Sequence, residues 1–218
     1  MSVLRILHGT GNLRDLLPLA EHPAVDAIEA DIWTRGDQLV AHEHRPLGPL
    51  SVALGRDGIH RVSHDPVDLS AILEAIDCAG QHTQVLLNLR SRVADPAPEL
   101  ARELLALPER GHLTVRCAAW PIVDRLRAWV PHLDALYSIG YEPQVRRYVY
   151  EANASALPRR PMAIRESLLH SAEEVHALRR YAGTVAAWTV DDVDRAQELA
   201  EWGIDAVVSN QVTVLNAL

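Results

Sequence analysis

Apolar and polar positions along this chain fall into two repeating registers. Residues 3–7 (VLRIL) read as a strand that ends at His8, and LRDLLPLAE after it has helical spacing. AVDAIEADIW (24–33) and QLVAHEH (38–44) are strand-like, joined by a tight turn at TRGD. Residues 45–64, rich in Pro, Gly and His, read as a loop. Helical intervals then occur at 66–79, 97–107, 122–130, 143–154, 171–182 and 191–203. The helix over 171–182 has a Ser cap and an acidic first turn, and that over 191–203 ends in Gly. Strand patterns alternate with them at QVLLNL (84–89), LTVRCAA (113–119), LDALYSIG (133–140), PMAIR (161–165), TVAAWTV (184–190) and IDAVVSN (204–210).

Strands and helices therefore alternate from end to end, the pattern of a parallel sheet in an α/β domain. No linker or repeat divides residues 1–218, which predicts one barrel domain. The nine strand candidates exceed by one the number that a TIM (β/α)8 barrel needs. QLVAHEH follows its predecessor too closely for a helical crossover, and PMAIR is short, so one of these two is expected to be peripheral. A doubly wound open sheet is the alternative, without a glycine-rich phosphate loop to support it.

Composition narrows the function. The chain has 218 residues, of which 48% are hydrophobic and none is Phe, so the core is expected to be aliphatic. Every one of the 21 basic residues is Arg, and the formal net charge is -8. The acidic balance and the lack of a basic run argue against nucleic acid as a partner. No apolar stretch approaches the ~20 residues of a membrane span, so no integral membrane association is expected. The strand pattern begins by the third residue, which leaves no room for a signal peptide. Cys78 and Cys117, far apart in apolar surroundings, read as buried free thiols, and a cytoplasmic location is the expectation.

Residues with chemistry gather where a barrel carries its active site, at the C-terminal ends of the strands. Glu29 and Asp31 lie two apart on one strand and therefore share a face. Two like charges side by side in an apolar strand suit a divalent metal or acid/base chemistry better than a purely structural role. His8, His42, Arg90 and Trp188 stand at or near the ends of other strands, with Arg92 just beyond. His44, His60 and His64 fall beside or in the loop over the mouth. Trp120 is a weaker candidate, and Arg116 and Arg165 read as ordinary strand-end charges.

Several short motifs, in order, resemble the glycerophosphodiester phosphodiesterase family. Its first strand ends in His-Arg-Gly, matched by LHG at His8. Its Glu-x-Asp is matched by Glu29-Ala30-Asp31, its Thr and Gly turn by TRGD, and its His-Asp by His42-Glu43. AAWTVDDVDRAQELAEWGIDAVVSN is close to the family's C-terminal signature. The resemblance is strong at both ends and weak in the middle. It implies a TIM barrel of the phospholipase-C-like phosphodiesterase type. It also implies hydrolysis of a small glycerophosphodiester or lysophospholipid-type substrate. His8 and His42 would be general acid and base, Glu29 and Asp31 would hold a divalent cation (Mg²⁺ or Ca²⁺), and Arg90, Arg92 and Trp188 would contact substrate.

The departures are as informative. Gly9 takes the place of the family's Arg, Glu43 that of Asp, and Ser209-Asn210 that of Thr-Asp. The family strand ending in Glu-x-Lys, which supplies a third metal carboxylate, is matched by LLNLRSR. That places Arg90 at the Glu and Arg92 at the Lys. A guanidinium beside two carboxylates would pair with them and repel a dication. Either the arginines grip the phosphate in the metal's stead, or the barrel has lost phosphodiesterase chemistry and binds or converts an unrelated small metabolite.

Overall fold

The computed structural model describes residues 3–35, 38–46, 52–55, 58–61, 67–79, 83–90, 95–106, 113–154 and 159–218. Strands β1 (Leu4–Leu7) and β2 (Ala27–Arg35) are followed by β3 (Gln38–Ala41), β4 (Arg45–Pro46), β5 (Val52–Gly55), β6 (Gly58–Arg61) and β7 (Val67–Asp68). After helix α1 (Leu69–Ala79) come β8 (Gln84–Leu89), α2 (Ala97–Ala106), β9 (Leu113–Cys117), α3 (Trp120–Trp129), β10 (Asp134–Ile139) and α4 (Glu142–Ala154). The chain ends with β11 (Met162–Arg165), α5 (Ala172–Ala182), β12 (Val185–Trp188), α6 (Val193–Glu201), β13 (Ala206–Ser209) and α7 (Val212–Leu215).

Eight parallel strands run in the order β1-β13-β12-β11-β10-β9-β8-β2, and β1 pairs back with β2 to close a TIM barrel. The strand in excess is β3, which forms an antiparallel hairpin with β2 and carries β7 on its outer edge. PMAIR, short as it is, is a full barrel strand between β10 and β12.

Three expectations are corrected. The segment after the first strand is not an α-helix. It forms two 3-10 turns, Thr10–Asn12 and Arg14–Glu21, the second with Pro18 inside, where a missing N–H disfavours a regular α-helix. Residues 45–64 are not all loop, because β4, β5 and β6 form a small antiparallel sheet there. Cys117 is buried as expected, whereas Cys78 is exposed on the outer side of α1. Among the described residues no helix is long and apolar enough to cross a membrane.

Two cores result. The larger lies between the outward strand faces and the helices, and includes Ile28, Ile32, Leu87, Val115, Ile139 and Ile164. The smaller fills the lower barrel interior with Ile6, Leu86, Leu136 and Val208 and the alanines 27, 163, 186 and 206. Small residues at that level leave room for larger polar side chains in the layer above.

Closure of the barrel depends on a short ladder, since β1 meets β2 only at Ile6↔Ala27 and Leu7↔Ile28. Asp26 reinforces that seam. Its carboxylate accepts Arg5 N at 2.9 Å and Nε at 3.0 Å on one oxygen and Nη2 at 2.9 Å on the other. These side-chain bonds from Arg5 hold the Asp26 carboxyl below its ordinary range, against the opposing effect of burial, with the Arg5 N–H and charge adding to them. The unfolded chain has an ordinary Asp pKa near 3.9, so the seam's contribution is present above that value and is lost as pH falls through the lower folded value. Asp26→Asn is expected to lower stability by about 1 kcal/mol near neutral pH, the pair being partly exposed. That corresponds to a Tm lower by roughly 2–4 °C. Melts of both proteins should begin to converge below about pH 4 and meet only below the lowered folded value, and a constant difference down to pH 2 would remove the ion pair from the account.

Candidate functional site

Alternate residues of each barrel strand point inward. Along β2 these are Ala27, Glu29 and Asp31, and the parallel register sets Asp31 level with Asn88 of β8, and Asn88 level with Arg116 of β9. On the far side, β11 and β12 bring Arg165 beside Trp188. The C-terminal layer of the barrel interior is thus polar above an apolar floor, as residue types at these inward positions require.

Glu29 is completely buried and its Oε1 accepts from Nη2 of Arg116, itself only 3% exposed. The Arg116 guanidinium lies over the ring of Trp188, 5.1 Å from its centroid, with Arg165 at 5.5 Å from the same ring. Nε and Nη1 of Arg116, Nε1 of Trp188 and Oε2 of Glu29 are buried without a hydrogen-bond partner.

Asp31 is the second centre. One of its oxygens accepts from Arg90 Nε at 2.9 Å, Arg90 Nη2 at 2.8 Å and Asn88 Nδ2 at 2.7 Å. Burial works against the charge on Arg90, but the attraction and hydrogen bonds of Asp31, with Glu29 behind, outweigh it and raise its pKa. From the other side Asn12 Oδ1 accepts the Asp31 N–H at 2.6 Å. Two glycines bring Asn12 there. Gly9 turns the chain with a positive φ of 68° after His8, and Gly11 packs so closely on β2 that a Cβ would meet that of Ala30 at 2.5 Å.

His8, at the end of β1, is oriented by a relay from the end of β13. Asp191 accepts from Asn210 N at 2.8 Å and Asn210 Nδ2 at 2.6 Å. That leaves Asn210 Oδ1 facing His8 Nδ1 at 2.8 Å, so Nδ1 carries the proton of the neutral ring. Nε2 then presents its lone pair, 3.6 Å from the unpartnered Oε2 of Glu29. A neutral His8 is therefore set up to accept a proton at Nε2, and Glu29 would stabilise the imidazolium that results.

His42 follows β3 directly. Its N–H donates to Asp31 O at 3.0 Å, which continues the hairpin register and puts it opposite Asp31 on the same face. Its Nδ1 lies 2.8 Å from His44 O and 3.0 Å from His44 N. Nδ1 is engaged in either tautomer, which leaves Nε2 for proton transfer.

The structure thus gathers His8, Glu29, Asp31, His42, Arg90 and Trp188 at one end of the barrel. Arg92, His64 and the turn at residues 36–37 lie outside the described residues, as does the side chain of His60. Trp120 belongs instead to the outer core, edge-on to Tyr137 and Tyr148. Arg116 and Arg165 are not ordinary strand-end charges. Arg116 is the buried partner of Glu29, and Arg165 shares the Trp188 ring. Asn12, Asn88, Asp191 and Asn210 were also missed. Arg116 did leave a signal, an Arg flanked by apolar Val115 and Cys117 whose parity matches the inward face.

No family model matches the chain. Over 229 residues it is 25% identical to a glycerophosphodiester phosphodiesterase of Arabidopsis thaliana, covering 95% of this chain and 68% of that protein. The chain is therefore similar in sequence, at a distance, to a glycerophosphodiester phosphodiesterase. Solved structures carry the same fold. A phosphodiesterase of Oleispira antarctica in complex with the product sn-glycerol-3-phosphate aligns with TM-score 0.72 at 17% identity, covering 98% of this chain and 96% of that one. Glycerophosphodiester phosphodiesterases of Parabacteroides distasonis (TM-score 0.72, 14% identity, 98% and 95% covered) and Thermotoga maritima (0.71, 13%, 99% and 98%) align similarly.

The divalent cation implied by this resemblance does not fit the described residues. Hard cations take about six to eight oxygen ligands. Here Asp31 receives N–H donors from Arg90, Asn88 and Asn12, and Glu29 is paired with Arg116. Among the described residues no group of three or more His, Cys, Asp or Glu side chains could hold a metal.

The His8 relay has a direct spectroscopic test. ¹⁵N NMR of the neutral His8 ring should show the proton on Nδ1. Asn210→Ala should abolish that preference while changing stability by about 1 kcal/mol or less, since Asn210 is exposed. An Nε2-protonated ring in the parent would mean that the Asn210 amide has the opposite orientation.

Proposed function

We propose that the protein hydrolyses small glycerophosphodiesters, with His8 and His42 as the proton-transfer pair. The observation that carries this reading is the convergence of both histidines on the Glu29–Asp31 face of one barrel mouth. The sequence similarity to a glycerophosphodiester phosphodiesterase supports phosphodiesterase chemistry. His8 takes the proton of the attacking water at Nε2. The water oxygen bonds to phosphorus, and the bond from phosphorus to the leaving alkoxide breaks. A protonated His42 gives that alkoxide its proton, and the products are a phosphomonoester and an alcohol.

Charge favours this substrate class. Arg90 and Arg116 are balanced by Asp31 and Glu29, and Arg165 beside Trp188 adds a guanidinium at this end that can meet an anionic head group. Trp188 gives the same mouth an aromatic wall for the apolar part of a glycerol or choline group.

His8→Ala and His42→Ala should each lower turnover of glycerophosphocholine or a lysophospholipid by roughly 10²-fold or more. His8→Ala should leave the Tm nearly unchanged, while His42→Ala, which loses the partly buried hydrogen bond of Nδ1 with the His44 backbone, should cost about 1 kcal/mol. Absence of turnover across a panel of glycerophosphodiesters and lysophospholipids, with chelator and with metal, would sink the reading in favour of a barrel that handles an unrelated metabolite.

A further inference from the structure

The buried groups left without partners in this barrel are mostly donors. Arg116 has five N–H bonds, and the three on Nε and Nη1 meet no acceptor although the side chain is 3% exposed. Trp188 Nε1 is a further orphaned donor on the ring that the same guanidinium covers. Buried cationic donors left unmet are costly, so such a set is explained best by an acceptor that arrives from outside. A cation site would show the opposite imbalance. Among the described residues the one orphaned carboxylate oxygen is Glu29 Oε2, 3.6 Å from His8 Nε2, and the Thr34 hydroxyl, able to donate or accept, is the other unpartnered group.

We propose that Arg116 is an oxyanion-binding group that stands in for the divalent cation, so that the barrel holds its phosphoryl oxygens without a metal. The inference rests on the phosphodiesterase reading for the identity of its ligand. A guanidinium suits the role because it stays charged at any working pH, is less strongly hydrated than a dication and offers directed N–H bonds to phosphate oxygens. Glu29 fixes one edge of it through Nη2, and the face of Trp188 fixes its plane, which leaves Nε and Nη1 as the donors. Arg90 is the less suitable of the two candidates, since Nε and Nη2 are both committed to Asp31. Asp31 therefore anchors an arginine at the rim, and Glu29 anchors the one inside.

The test is calorimetric titration of sn-glycerol 3-phosphate into the purified protein, in chelator and in millimolar Mg²⁺. The parent should bind with affinities within about twofold in the two conditions. Glu29→Gln should bind as tightly or more tightly in chelator, because Arg116 loses its neutralising partner. The double variant Glu29→Gln/Arg116→Gln removes both charges together, avoids a lone buried carboxylate, and should bind at least tenfold more weakly. Binding that requires Mg²⁺, or that vanishes in Glu29→Gln, would overturn the proposal. So would undiminished binding by the double variant. Should the double variant fail to fold, the Glu29→Gln arm still separates a carboxylate-held cation from a guanidinium. Turnover is measured alongside. Hydrolysis that continues in chelator supports the proposal, and hydrolysis that stops on chelation overturns it while leaving the phosphodiesterase reading intact. Chelator-resistant binding without any turnover leaves Arg116 as an anion site and removes the phosphodiesterase reading alone.

Discussion

A carboxylate with no exposure to water has to be neutralised where it stands, and in this barrel Glu29 is neutralised by Arg116. Taking both groups out of water costs several kcal/mol each, repaid only when geometry and remaining hydrogen bonds are good. The Glu29–Arg116 pair is joined through Nη2 and Oε1 alone and leaves the second condition open, with Nε, Nη1 and Oε2 unmatched. The rest of the site is arranged around that imbalance. Trp188 covers the guanidinium, His8 faces the free carboxylate oxygen, and the alanines of the lower interior make space for a side chain as long as Arg at this level.

Asp31 repeats the same arrangement nearer the mouth with different emphasis. Arg90 grips one of its oxygens through both Nε and Nη2 in a partly exposed pair, Asn88 from the neighbouring strand donates to the same oxygen, and Asn12 accepts its N–H. Three separate elements therefore position one carboxylate. Gly11 permits the closest of those approaches, because any side chain there would collide with Ala30. Charge balance at the two centres is local, one guanidinium to one carboxylate, so neither carboxylate is left over for a third, mobile charge.

Much of the barrel could be read in the chain because two periods alternate cleanly and strand ends carry the polar residues. What the pattern could not decide was which short strand lies outside the barrel. PMAIR is brief yet fully buried over Met162, Ala163 and Ile164, whereas the longer QLVAHEH makes only a hairpin arm. Neither length nor burial separates them, since β3 is equally buried over Leu39, Val40 and Ala41; what does is that β3 follows β2 too closely for a parallel crossover. The small sheet within residues 45–64 was hidden because its Gly and Pro content resembles loop sequence. The 3-10 segment was hidden because apolar spacing near three and near 3.6 residues per turn is hard to separate over eight residues, Pro18 being the sole warning. In the site, the residues seen in advance were those with a motif around them. Arg116 had none, and its importance depends on the alignment of β2, β8 and β9, which is a property of the closed barrel and not of any one strand.

Exchanging a bound cation for a fixed guanidinium alters more than the charge. A dication gathers oxygen ligands from any direction, and its occupancy depends on its concentration outside the protein. A guanidinium is always present, carries half the charge, and acts only along its N–H bonds. The weaker charge has to be compensated by position, and burial supplies this, because a hydrogen bond from a preorganised donor in a dry interior stabilises a developing negative charge far more than the same bond in water. Burial also demands that the guanidinium be balanced when no ligand is bound, and Glu29 is the carboxylate that balances it. On this account the Glu-x-Asp pair keeps its residues and changes its purpose, from binding a metal to holding two arginines at fixed depth, Arg116 inside and Arg90 at the rim.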